Sequence, residues 1–235
     1  MLATLTACGG GGDAGIVIRA GGPPAAEVAI PTVDDRTTAP HGTADSRLAG
    51  AGDLPESDLS DFVDEFGYPP DGSFARLRIP VLGVDAAVVP RYVDETGVMP
   101  LPGGPADVAW YDLSAWAGMG GAPGEGRNAI LAGHVDYAAY VPYAGTDYRG
   151  RGVFEALAQL SPGDIVELKY QGATFRYAVV WNQQLSASPE ATDWGAVWSD
   201  QVAVEAVTLY TCGGDFDPLT QTYKDRTVVR AERLP

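Results

Sequence analysis

Residues 203–212 read AVEAVTLYTC, and glycines follow at positions 213 and 214. A run of apolar and β-branched residues that closes on a cysteine has the composition of a strand. Strand alternation puts Ala206, Thr208, Tyr210 and Cys212 on one face. Runs of the same kind lie at 74–79 (FARLRI), 83–89 (GVDAAVV), 128–134 (NAILAGH), 164–170 (DIVELKY), 174–181 (TFRYAVVW) and 227–231 (TVVRA). Many short strands punctuated by Pro, Gly and Asp predict a mainly β domain, a closed barrel or a sandwich. Residues 153–160, VFEALAQL, predict a short helix ahead of a Ser-Pro-Gly-Asp turn. In 183–201, Trp194 and Trp198 stand four apart and share one helical face, read as a helix anchored in the core or as a peptide contact. The glycine-rich stretch 110–129 predicts a rim loop before the 128–134 strand.

Outside this body the chain changes character. Residues 1–72 hold 12 acidic side chains against Arg19, Arg36 and Arg47, together with 12 of the 30 glycines. Such a segment buries too little apolar surface to offset the entropy of ordering it. Residues 1–72 therefore read as an N-terminal tail, with a disordered tether at about 9–56, and residues 73–235 read as the domain. One island interrupts the tail: Leu59, Phe62, Val63 and Phe66 recur at helical spacing and predict an amphipathic helix over 58–66, ended by Gly67 and two prolines. Its two turns need a surface to dock on, and the body of the same chain is the nearest one.

The net charge of -16 argues against nucleic acid as a partner, because phosphates would be repelled. No run reaches the roughly 18 to 20 apolar residues of a membrane-spanning helix. Two cysteines so far apart do not read as a disulfide framework. At the start, residues 5–8 (LTAC) resemble the lipobox of bacterial lipoproteins, which implies export and a lipid on Cys8; a stray cysteine in a mobile tail is the other reading.

The chain has two histidines, His41 in the tail and His134 in the body. His134 closes one apolar run and Cys212 closes another. Ile130, Ala132 and His134 share a face of theirs, so a thiol and an imidazole meet at one rim if the two strands are neighbours. Cysteine is the strongest side-chain nucleophile near neutral pH, and histidine is its usual proton partner. A cation beside the sulfur raises its thiolate fraction and can hold a developing oxyanion. Lys224, Arg226 and Arg230 all lie on one face of the last strand, and periodicity does not choose among them. By residue type alone, a buried structural cysteine and a structural histidine remain the alternative. Metal-ligand spacing is lacking.

Three ordered motifs carry a resemblance. TLYTC at 208–212 is similar to the TLxTC motif of sortases, bacterial cysteine transpeptidases. LAGHVD at 131–136 resembles their histidine segment, and DRTVVRA at 225–231 resembles their last strand, whose leading arginine belongs to the active site. RLRIPVLGVDAAVV at 76–89 resembles their first two strands. The resemblance implies an eight-stranded β-barrel with Cys212 as nucleophile, His134 as general acid and base, and Arg226 as oxyanion clamp, with Arg230 second. It implies that Thr211 lines the site. It also implies cleavage of an LPXTG-like sorting motif and transfer of the thioacyl group to an amine of the cell wall or a pilin, with no metal or organic cofactor. TCGGDFDPLTQTY at 211–223 looks most like class F, and class E is second. The family's membrane helix is not visible in the chain, and a lipidated Cys8 would take its place at the extracytoplasmic face. A cysteine peptidase that releases the peptide, and a non-catalytic lipoprotein binding module, are the alternatives.

Overall fold

The computed structural model describes residues 56–217, 219 and 222–235, together with the strand at 16–17. Cys8, His41 and most of the tether lie outside the described residues. Along the chain run β1 (Ile16–Val17), α1 (Leu59–Phe66), β2 (Ala75–Ile79), β3 (Val84–Tyr92), β4 (Val98–Met99), β5 (Val108–Asp112) and β6 (Asn128–Ala132). There follow β7 (Asp136–Val141), β8 (Thr146–Arg151), β9 (Ile165–Tyr170), β10 (Ala173–Ser186), α2 (Trp194–Trp198), β11 (Ala206–Asp217) and β12 (Thr222–Arg233).

Eight strands close into a barrel in the order β10-β12-β11-β6-β5-β3-β2-β9. Most neighbours are antiparallel, but β6 runs parallel to β11, and β3 runs parallel to β5. Every barrel strand sends apolar side chains inward. Leu77, Val88, Val108, Leu131, Leu168, Tyr177, Leu209 and Val229 form one buried cluster. Burying a side chain of this size contributes on the order of 1.5–3 kcal/mol, so the closed ring is where most of the fold's stability resides.

The alternate residues face outward and need their own cover. Ile130, Ala132, Tyr111, Tyr210 and Val228 pack beneath Trp194 and Trp198 of α2, whose rings stack at 5.1 Å. Both tryptophans are buried, so the α2 pair serves packing. Residues 153–160 are not a full helix: only a 3-10 turn forms at Leu157–Gln159. Phe154, Leu157 and Leu160 belong to the interior cluster, and Asn182 Nδ2 donates to the carbonyls of Leu157, Ala158 and Leu160. Docking on the barrel thus replaces the intrahelical bonds. The stretch 110–129 is likewise not all loop, because its first three residues complete barrel strand β5.

Helix α1 is capped by Asp58, whose carboxylate accepts from Ser60 N and Asp61 N. Its Phe62 packs against Val141 and Tyr148 of the β7–β8 hairpin. Ser57 N donates to Arg149 O at 2.6 Å and fixes the approach. The hairpin lies outside the barrel and follows His134 directly.

Candidate active site

The β6–β11 ladder pairs Asn128 with Ala206 and runs to Ala132 with Tyr210. The offset is constant, and continuing it by two residues brings His134 level with Cys212; those two residues stand 78 positions apart in the chain. On the other side of β11, Cys212 is the cross-strand partner of Arg226. Adjacent strands lie about 4.8 Å apart, so the backbone positions of Cys212 and Arg226 are neighbours, and His134 follows two residues past the last β6–β11 pair, Ala132–Tyr210. All three share the outward face with Ala132, Tyr210 and Val228.

Cys212 is 5% exposed and Arg226 is 2% exposed, while His134 keeps partial access. The Cys212 sulfur is disulfide-bonded in this structure. Nucleophilic attack therefore requires prior reduction.

Arg226 is held by its own hairpin. Nη1 donates to the carbonyls of Tyr223 at 3.0 Å and Asp225 at 2.7 Å. Its Nε is buried with no hydrogen-bond partner among the described residues. Burial lowers the guanidinium's pKa from its usual value, though an arginine remains charged throughout the physiological range. A fixed, desolvated cation with an unused N–H beside a sulfur can bind a developing oxyanion.

His134 faces Pro102, with Nε2 3.4 Å from that carbonyl oxygen. A carbonyl only accepts, so Nε2 carries the proton and Nδ1 is left to exchange one. Burial lowers the imidazole pKa, opposed by the Pro102 carbonyl and by Asp136. The ring also meets the Tyr137 ring edge-on at 5.0 Å. Asp136 is exposed, and its carboxylate accepts from the Tyr223 hydroxyl, which ties the histidine segment to the hairpin of Arg226.

The Sortase domain family model matches residues 77–234. The chain belongs to the sortase family. By that membership it is a cysteine transpeptidase with the family's barrel. Similar solved structures include a Clostridium perfringens sortase D5 transpeptidase, with 18% identity, a TM-score of 0.47 and coverage of 75% of this chain and 96% of that one. Sortase E1 from Streptomyces coelicolor, solved with a tripeptide in its active site, gives 21% identity, a TM-score of 0.48 and coverage of 72% and 91%. Sortase C-1 from Actinomyces oris gives 21% identity, a TM-score of 0.47 and coverage of 77% and 85%. No curated protein matches the chain in sequence.

Within this sortase barrel the two glycines after Cys212 are explained by space and backbone. A Cβ on Gly213 would lie 2.7 Å from Thr227 Oγ1, and Gly214 sits at φ 76°, where side chains are strained. Thr211 alternates away from the row, and its buried hydroxyl lies on the barrel's inner face opposite Thr227. Arg230 is paired with Thr208, about 13 Å along the strand from Cys212. Its Nε donates to Thr208 Oγ1 at 2.8 Å and its Nη2 to Val197 O at 2.9 Å. Among the described residues no group of three or more His, Cys, Asp or Glu is placed to hold a metal ion, and no helix is long and apolar enough to cross a membrane.

Proposed function

We propose that this sortase uses Cys212 as nucleophile, His134 as general acid and base, and Arg226 as oxyanion clamp on an LPXTG-like sorting motif. The observation that supports the reading is the register: the Arg226 cross-strand pair on one side of Cys212, and on the other a parallel ladder whose extension by two residues past Ala132–Tyr210 reaches His134 and Cys212. In the reduced protein the Cys212 thiol gives its proton to His134 Nδ1 as the sulfur attacks the Thr carbonyl carbon. The carbonyl electron pair moves to oxygen, where an Arg226 N–H donates to it. Collapse breaks the Thr–Gly bond, and the imidazolium returns the proton to the departing amine. The thioacyl group then passes to an acceptor amine of the cell wall or a pilin, and the thiol is regenerated. No metal or organic cofactor enters any step.

Thr211 borders the site through its backbone. The 211–223 segment favours class F, with class E second. Export to the extracytoplasmic face completes the reading, with Cys8 carrying a lipid anchor in the form of the protein whose Cys212 is a free thiol.

The test is incubation of the reduced protein with an LPXTG peptide, with and without a glycine-type amine, read by mass spectrometry. A thioacyl adduct on Cys212 and an amide product in the amine arm are expected. Free acid in both arms would make the protein a peptidase. No product in either arm, and Cys212→Ala indistinguishable from wild type, would leave a binding module on a sortase barrel.

A further inference from the structure

Among the described residues one buried carboxylate is left unused by the row of three. Asp107 is 0% exposed and stands immediately before β5, at the end of the loop PLPGGPAD (100–107). Its Oδ2 accepts the Gly103 N–H at 2.8 Å, and its Oδ1 is buried with no hydrogen-bond partner among the described residues. A fully buried carboxylate is costly to keep unless it does something a neutral residue would not.

The atom it holds identifies that task. Gly103 N–H and Pro102 C=O belong to one peptide group. This peptide is trans, so its N–H and C=O point in opposite directions across a rigid plane. Asp107 grips one end of the plane, and His134 Nε2 lies 3.4 Å from the oxygen at the other. The chain carboxylate, peptide, imidazole is continuous. Polarisation runs along it: a negative charge on the N–H side increases the electron density of the carbonyl that receives the imidazole proton.

The surroundings hold the plane still. A Cβ on Gly103 would lie 3.1 Å from Arg91 Nη2, and one on Gly104 would lie 2.8 Å from the Tyr143 ring. Val153 N donates to Pro105 O, and Phe154 N donates to His134 O, so one segment ties down both the loop and the histidine backbone. The charged and titratable groups facing the carboxylate are Arg91 of β3, Tyr68, Tyr111 of β5, Tyr137 of β7 and Tyr143. Asp136 faces the imidazole.

We propose that Asp107 is the positioning residue of His134, acting through the Pro102–Gly103 peptide plane to fix the Nε2–H tautomer and to favour the imidazolium. Its kinetic part rests on the reading of His134 as the proton carrier; its structural part does not.

The experiment compares reduced full-length wild type with Asp107→Asn and Asp107→Ala. Long-range proton–nitrogen NMR of the imidazoles reads tautomer and pKa, with His134→Gln assigning which of the two signals belongs to His134. Wild type is expected to show the Nε2–H form. Asp107→Asn, which removes the charge, is expected to lower the His134 pKa. Asp107→Ala is expected to mix the tautomers. In the transfer assay kcat falls about 10- to 100-fold with KM within about twofold, the pattern of a misplaced catalytic group. A His134 titration and tautomer unchanged in Asp107→Asn, with the variant folded by circular dichroism, would overturn the proposal even if kcat had dropped. Should Asp107→Ala fail to fold, Asp107→Asn alone decides. A wild type that makes no product sinks the sortase reading, and the NMR arm still answers for Asp107.

Discussion

Arg226 and Arg230 lie on the same face of β12, and their guanidinium groups are used differently. Arg230 is spent on structure. It bonds Thr208, whose hydroxyl bonds Asn128 Oδ1, and Asn128 Nδ2 reaches the carbonyls of Val197 and Ser199. That network fastens β6, β11 and β12 to the α2 segment, and Trp181 lies 5.5 Å beneath the cation. Among the described residues Arg226 bonds carbonyls of its own hairpin and keeps a buried N–H in reserve. One end of the face spends its Nε and Nη2 on the wall, while the other holds an unfilled buried N–H beside a sulfur. An unsatisfied buried donor costs roughly 1–3 kcal/mol, which a fold retains where a ligand completes it.

Four experiments test this contrast. Against the reduced wild type, Cys212→Ala is expected to lower transfer on the order of 10⁴-fold or more in a peptide assay, with the melting temperature little changed; residual turnover near wild type would move the chemistry off the row. Arg226→Lys keeps the charge and loses the fork, and kcat/KM is expected to fall about 10²- to 10³-fold. An effect confined to stability would make the two arginines equivalent.

The third uses pH. Burial raises Asp107 to about 6, against the Gly103 N–H and Arg91, which lower it. The native state therefore binds this proton more tightly than the unfolded chain, and wild type loses stability as pH rises from about 4 to about 6. Asp107→Asn lacks that loss. Urea denaturation should show the gap moving in the variant's favour by about 3 kcal/mol across that window and staying flat above it. Parallel curves would mean that the carboxylate is not buried. Smallest is Arg230→Lys, expected to cost about 1–3 kcal/mol by denaturation because one ammonium cannot serve both Thr208 and Val197, while kcat of the folded protein stays at the wild-type value.

The contrast also marks where sequence reading stops. Lys224, Arg226 and Arg230 alternate identically, and only the partner strand separates them, a relation set by a hairpin whose length contains a bulge between Gly213 and Phe216. The barrel itself was legible, because its strands are apolar runs cut by Pro and Gly. Strand β5 was hidden inside a glycine-rich context, and the β7–β8 hairpin by small residues that are not buried, such as Ala138 and Ala139. Residues 153–160 have helical spacing, and contact with the barrel interior outweighs it. Asp107 carried no signal: an aspartate after PGGPA reads as a solvated turn until the loop is seen folded inward.

The ring closure described above restricts how a peptide can be recognised. Each barrel strand already has a hydrogen-bonded neighbour on both sides. Over its paired length the ring offers a guest segment no edge for β-augmentation, and free edge remains only where a strand outruns its neighbour, as β11 does past Tyr210 on the β6 side, or on the open β7–β8 hairpin. Discrimination then falls to side chains and loop carbonyls, so substrate preference should be exchanged by grafting loops while the staves of the barrel are left alone.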